Sequence, residues 1–289
     1  MTTSQQRPAV VITGASSGIG YACAVDLARD FHVFAGVRRE EDAARLKGAL
    51  GDSVTPLSLD VRDPDDVADA ADAVRAALSG RTLAGLVNNA GIPSGGPLLH
   101  APIAEIARVL DVNLLGVIRA TQAFGPLLGA DKSLEGPPGR IVMMSSVAGK
   151  IGMPFGGAYV ASKHALEGVS ESLRRELMIY GIDVVVIGPG AVATAIWDKA
   201  ATIDYSPYQG TDYQPIMDAM GDTFLARGRA GLPPSAIARV VRRALTAKRP
   251  RTRYAISPHP ITSWILPRLL PPRLLDRIVA RVAGLKRLR

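Results

Sequence analysis

The 289-residue chain holds a single cysteine, Cys23. One thiol cannot close an internal disulfide. Cys23 lies in an apolar helical stretch and reads as a small core residue, which suits a reducing compartment. Long apolar runs are missing too: no stretch reaches the roughly 18 residues that a membrane-spanning helix needs. The opening "MTTSQQRPAVVITGASSGIG" is polar before it enters a short strand, so no signal peptide is expected and the expected location is cytoplasmic. The four histidines, His32, His100, His164 and His259, are scattered without ligand spacing, so no metal site is expected. The formal net charge is +8, but the 28 residues from Thr262 to Arg289 carry seven basic side chains and one acid. A basic balance confined to one terminal segment gives no reason to expect nucleic-acid binding by the rest.

What the sequence does contain is an alternation. Strand-length apolar runs stand at 9–13, 32–37, 54–59, 83–89, 140–146, 183–189 and 253–256. They are β-rich and nearly unbroken, as strands buried on both faces should be. Helical patterns separate them. One begins with Asp63 as N-cap and Pro64 at the first helical position, and runs on as an apolar stripe of Val67, Ala70, Ala71, Val74 and Leu78. Repeated strand–helix units predict an α/β fold, a doubly wound parallel sheet of about seven strands in one domain, spanning 1–260. Residues 191–234 follow the sixth strand without a clean period and are rich in aromatics and methionine, a position where such sheets bind ligands.

Residues 261–289 form a separate C-terminal extension. After Pro271 and Pro272, Leu274, Ile278, Val282 and Leu285 fall on one helical stripe, with Arg273, Arg277 and Arg281 beside it. Two destinations are open for that stripe: the protein's own body, or an anionic membrane surface.

Two stretches carry chemistry. "TGASSGIG" (13–20) follows the first strand and opens a helix; Gly14 permits a tight turn, while Gly18 and Gly20 let backbone and helix approach closely. Free N–H groups at such a helix start can hold a pyrophosphate. Further on, Tyr159 and Lys163 stand four residues apart at a helix start, on one face. A tyrosine titrates near about 10, and a neighbouring ammonium favours its phenolate, so the pair suits acid–base work. Isolated Tyr-x-x-x-Lys pairs are common, and the surrounding residues give this one its weight. At the end of the second strand, Gly36 and Val37 occupy the places where an acid would bind a ribose 2′-hydroxyl, and Arg38 follows; an arginine there can pair with a 2′-phosphate, so NADP(H) is expected over NAD(H).

The spacing T-G-x-x-x-G-x-G, with "LDV" (59–61), "NNAG" (88–91), "VNLLG" (112–116), "SSVAG" (145–149), "YVASK" (159–163) and "GPG" (188–190), resembles the short-chain dehydrogenase/reductase family. The stretch around Tyr159 is most similar to its hydroxysteroid and retinol dehydrogenase branch. The resemblance implies a catalytic set of Tyr159, Lys163, Ser146 and Asn113, with Ser145 as the alternative serine. It implies that Lys163 also grips the nicotinamide ribose and that Asn113 distorts its helix and holds a relay water. It places Gly14, Ser16, Ser17, Gly18, Ile19, Gly20, Arg38, Asp60, Val61, Asn88, Ala90, Gly91, Pro189, Gly190, Val192 and Thr194 around the cofactor. Asp60 would bond the adenine amine, Val61 would pack on the ring, and Asn88 and Gly91 would line the adenosine ribose. The implied reaction interconverts an alcohol and its ketone or aldehyde on a hydrophobic substrate, in a homo-oligomer. Two other readings stay open: a β-ketoacyl-thioester reductase, and a nucleotide-sensing protein without turnover.

Overall fold

The computed structural model describes residues 7–258 and 260–286; His259 and the last three residues of the extension lie outside the described residues. Seven strands form one parallel sheet: β1 (Ala9–Ile12), β2 (His32–Val37), β3 (Val54–Ser58), β4 (Gly85–Asn88), β5 (Arg140–Met144), β6 (Asp183–Pro189) and β7 (Arg253–Ile256). Their order is β3-β2-β1-β4-β5-β6-β7, so the chain reverses direction across the sheet between β1 and β4. In doubly wound sheets, ligands bind at the strand ends beside that reversal.

Eleven helices are present among the described residues: α1 (Gly18–Leu27), α2 (Glu40–Leu50), α3 (Pro64–Leu78), α4 (Ile103–Leu110), α5 (Gly116–Phe124), α6 (Gly157–Glu176), α7 (Ile196–Ala201), α8 (Gln214–Arg229), α9 (Pro234–Thr246), α10 (Leu266–Leu269) and α11 (Pro272–Val282). On one face of the sheet, Leu27 of α1, Leu46 of α2 and Ile237 and Val241 of α9 pack with Val10, Ile12 and Val33. On the other, Val67 and Val74 of α3, Phe124 of α5 and Leu166 of α6 pack with Val11, Leu86 and Ile141. The start of α3 forms as its sequence dictates: the Asp63 carboxylate accepts the N–H groups of Asp65 at 2.9 Å and Asp66 at 3.5 Å. Its whole predicted stripe is buried. Cys23 is fully buried, and burial together with the nearby Asp26 pushes its thiol up to about 12, so it is an inert core residue.

The body takes the row beside the C-terminal stripe rather than the stripe itself. α11 rests on the body through the row Leu275, Val279 and Ala283, the first two half-buried and Ala283 only 3% exposed. The adjacent row, Leu274, Ile278 and Val282, is exposed at 42%, 44% and 70%. The helix carries apolar residues on two neighbouring rows, and only one can face inward. Among the described residues no helix is long and apolar enough to cross a membrane.

Candidate active site

The glycine turn lies at the C-terminal end of β1. Gly14 and Gly18 have φ of +66° and +56°, a region that L side chains rarely adopt. Any Cβ would also collide: at Gly14 it would stand 2.9 Å from the Ala90 Cα, and at Gly20 2.2 Å from the Gly14 carbonyl oxygen. Helix α1 begins here with no side-chain cap on its N-terminus and no acid in its first turn, leaving its N–H dipoles free for an anion. Ser16, Ser17 and Ile19 fall within this turn, and Thr194 lies against Gly18, where an added Cβ would meet it at 3.1 Å. Two residues not anticipated from the sequence lock the turn. The Thr13 hydroxyl accepts from the N–H groups of Asn89 and Ala90 at 3.0 Å, and the Asn89 amide donates to the carbonyls of Thr13 and Gly14 at 3.0 Å.

One expected adenosine contact needs correction, and two other expected residues are engaged within the protein. Asn88, the last residue of β4, is 1% exposed, and its amide donates to Thr121 at 3.0 Å and to the Met143 sulfur at 3.5 Å. Strand alternation turns it into the core and leaves the glycine side to Asn89. The Asp60 carboxylate is engaged by Arg62, whose Nη2 is 2.7 Å from it. Those hydrogen bonds hold Asp60 below its usual range. Val61 is 5% exposed and lies against Gly116 of α5. Arg38, Asp60, Arg62, Asp63, Pro64 and Asp66 line a cavity of about 540 Å³ at this end, in which Arg38 Nη1 stands 3.9 Å from Asp60. Glu40 and Glu41, which follow the arginines, are exposed, and the buried Asp42 pairs with Arg39 at 3.1 Å and Arg45 at 2.8 Å.

The other end of the cleft gathers the reactive groups. Ser146 follows β5, and Tyr159 and Lys163 lie on α6. The Ser146 hydroxyl caps the short turn Val147–Gly149 by accepting from the Ala148 N–H at 3.1 Å, and lies 3.4 Å from the Pro189 carbonyl. Ser145, the alternative, is buried and donates to Glu167 at 2.6 Å, away from the tyrosine. The Tyr159 N–H is received by the Ser94 hydroxyl at 2.9 Å, which anchors the start of α6 from 65 residues away.

Lys163 is 5% exposed; its ammonium donates to the Met144 carbonyl at 2.9 Å and stands 5.7 Å from the Tyr159 ring centre. Burial brings its pKa down to about 8, opposed by the negative charge of Glu167. Burial also raises the Tyr159 phenol, opposed by the nearby Ser146 hydroxyl.

Asn113 sits in a π-helical turn (Asp111–Leu115) between α4 and α5, so the helix is distorted there. Its side chain is fully buried: it accepts from the Ile92 N–H at 2.8 Å and donates to the Ile92 carbonyl at 3.0 Å and to Ser162 at 3.2 Å. Through these bonds Asn113 ties Ile92 to Ser162 of α6. A Cβ on Gly91 would lie 3.3 Å from Asn113 Oδ1 and 3.8 Å from Lys163 Nζ. Gly190 is tied to β7, its N–H 2.7 Å from the Ile256 carbonyl. Val192 is buried and its carbonyl accepts the Trp197 indole N–H at 2.8 Å. Aromatics of 191–234 then close over the cleft: Tyr208, 3% exposed, bonds the Gly95 carbonyl at 3.2 Å, and Tyr213 packs edge-on against Phe155.

This constellation defines a class. The profile of the family described as short chain dehydrogenase matches residues 8–203, and the chain belongs to that family. It is an NAD(P)-linked oxidoreductase of the kind that acts on alcohols and carbonyls. Over 269 residues it is 38% identical to an NADPH-dependent 3-dehydrocapnine reductase of Ornithobacterium rhinotracheale, covering 93% of this chain and 94% of that protein. It is 34% identical to human retinol dehydrogenase 16, covering 93% of this chain and 87% of the relative. A short-chain dehydrogenase/reductase from Burkholderia phymatum in complex with NAD superposes with a TM-score of 0.78 at 27% identity, over 91% of this chain and 93% of the other. Family membership implies a nicotinamide dinucleotide. The residues present fit one: the glycine cradle, the uncapped start of α1, and the buried ammonium of Lys163.

Proposed function

We propose that the chain reduces ketones or aldehydes, or oxidises the matching secondary or primary alcohols, on a hydrophobic substrate, with NADP(H) as preferred cofactor. The observation that carries this reading is Tyr159 with Lys163 buried one helical turn behind it, its ammonium 5.7 Å from the ring centre, and Ser146 at the adjoining end of β5. When bound, the nicotinamide supplies or accepts the hydride at the carbonyl carbon. Tyr159, protonated at neutral pH like any tyrosine and pushed further up by burial, donates its phenolic proton to the substrate oxygen. Ser146 holds that oxygen in place. Lys163 keeps a positive charge beside the phenolate that results. Gly14, Gly18, Gly20 and the start of α1 would hold the pyrophosphate, Arg38 the 2′-phosphate, and Pro189, Gly190 and Thr194 the nicotinamide side. Residues 1–260 form the catalytic domain, with 191–234 shaping the substrate pocket, and 261–289 form an appended extension.

The NADPH-dependent relative supports the cofactor preference, and the retinol dehydrogenase supports an apolar substrate. Tyr159→Phe tests the mechanism. It keeps the ring but removes the proton, so turnover of a hydrophobic ketone with NADPH should fall at least about 100-fold, while NADPH binding, read by fluorescence, should persist. Turnover within a few-fold of the unaltered protein would overturn the assignment.

A further inference from the structure

The extension presents an apolar surface in two consecutive pieces. In the π-helical turn Ile261–Ile265 and the adjoining α10, Ile261, Ile265 and Leu269 recur every four residues and are 66%, 47% and 75% exposed. In α11, Leu274, Ile278 and Val282 recur likewise and are also exposed. These residues do not belong to a loose tail. Trp264 is stacked by two guanidinium groups, Arg253 of β7 at 4.5 Å and Arg268 at 4.8 Å. At the other end Ala283 is buried, and a Cβ on Gly284 would lie 4.0 Å from Ile216 of α8.

Charge indicates the occupant. Among the described residues from 260 onward, Arg268, Arg273, Arg277, Arg281 and Lys286 are basic and exposed, and Asp276 is the single acid. A second copy packed on this face about a two-fold axis would bring two such strips together, with like charges opposed. A bilayer with anionic lipids offers hydrocarbon for the isoleucines and leucines and negative charge for the arginines. We propose that this face docks on an anionic lipid surface. Because the end of α11 meets α8, docking holds the 191–234 segment next to the lipid.

The test uses the full chain with sucrose-loaded vesicles of phosphatidylcholine, with and without phosphatidylglycerol. The expected result is sedimentation with the phosphatidylglycerol vesicles alone, weakened by high salt. Each basic residue near such a surface is worth about a factor of five in binding, so Arg273→Gln with Arg277→Gln and Arg281→Gln should weaken it about 100-fold. Leu274→Ser with Ile278→Ser should abolish it. All five side chains are exposed, so both variants should melt with the unaltered protein. Failure of the unaltered chain to bind, or binding unchanged in both variants, overturns the proposal. So does a dimer, seen by sedimentation velocity, that Leu274→Ser with Ile278→Ser converts to monomer, since a second copy then covers the face.

Discussion

Glu167 stands one helical turn beyond Lys163 on the same face of α6, buried at 4% exposure, and is the anion that opposes the lysine's loss of charge. Its carboxylate also accepts the Ser145 hydroxyl at 2.6 Å, pairs with Lys150 at 3.4 Å and meets the Arg253 guanidinium from β7. Arg253 in turn reaches the Ser146 carbonyl at 3.4 Å. One acid thus ties together the strand that carries the serine, the helix that carries the lysine, and the last strand of the sheet.

Glu167→Gln should therefore disturb stability and titration together. Breaking a buried ion pair while its cation stays buried costs about 3 kcal/mol, so chemical denaturation should show a loss of that order. Without the carboxylate, Lys163 should titrate below its present value of about 8. The pH at which kcat/KM declines should move down by the same shift. A variant that lost stability with an unchanged pH profile would make Glu167 structural only.

In the unaltered enzyme, kcat/KM for carbonyl reduction should hold steady through neutral pH and fall above about 8, where Lys163 loses its proton. The same shift predicts a stability trend in the cofactor-free protein. The folded value, about 8, lies below the ordinary 10.5, so between those limits the unfolded chain binds the extra proton. Stability from this group then rises with pH across that window, by up to about 3 kcal/mol. The unfolding free energy of the unaltered protein relative to Lys163→Met should climb accordingly between those pH values; a difference flat with pH would contradict the assignment.

Much of this was legible locally. β2, β6 and β7 coincide with the apolar runs read from the sequence, and the Asp63 cap is where its spacing puts it. Such features depend on neighbours within a few residues, and so does the helical pairing of Tyr159 with Lys163. What was not legible depends on direction or distance in three dimensions. Asn88 and Asn89 are adjacent and alike in sequence, and only the place where β4 ends decides which amide enters the core. Ser94 reaches Tyr159 across 65 residues, and Arg253 reaches Glu167 across 86. In α11, two apolar rows competed for the body, and the stripe that the spacing favoured is the one left outside.

The proposed preference for NADP(H) rests on the arginines around the 540 Å³ cavity. Val37 is buried at the end of β2 where an acid would repel a 2′-phosphate, and Arg38 follows with its side chain 61% exposed and facing Asp60. Loss of one charge-assisted contact should raise the KM for NADPH about tenfold in Arg38→Leu. Adding Val37→Asp should carry the preference over to NADH. The ratio of kcat/KM values for the two cofactors decides it, and an unaltered enzyme preferring NADH by tenfold would refute the reading.

Glycine substitutions should separate the turn proposed to hold the cofactor from ordinary helix. At Gly20 an added methyl would stand 2.2 Å from the Gly14 carbonyl oxygen and 2.5 Å from the Asn89 amide, a collision with backbone on one side and with the group that locks the turn on the other. Neither can withdraw without opening the cradle, so Gly20→Ala should weaken NADPH binding at least about tenfold and lower the melting temperature. Gly48 of α2 and Gly168 of α6 are the opposite case. Each lies inside a helix, is exposed, and would place an added methyl with no neighbour within 4 Å. Alanine there removes backbone freedom from the unfolded chain at no steric cost, which is worth about 0.5–1 kcal/mol per site. Gly48→Ala with Gly168→Ala should therefore raise stability by about 1–2 kcal/mol, with NADPH binding unchanged because neither site touches the cleft. Chemical denaturation of the three proteins beside NADPH titration tests the contrast; equal effects at Gly20 and Gly48 would show that the turn is not the tight cradle described.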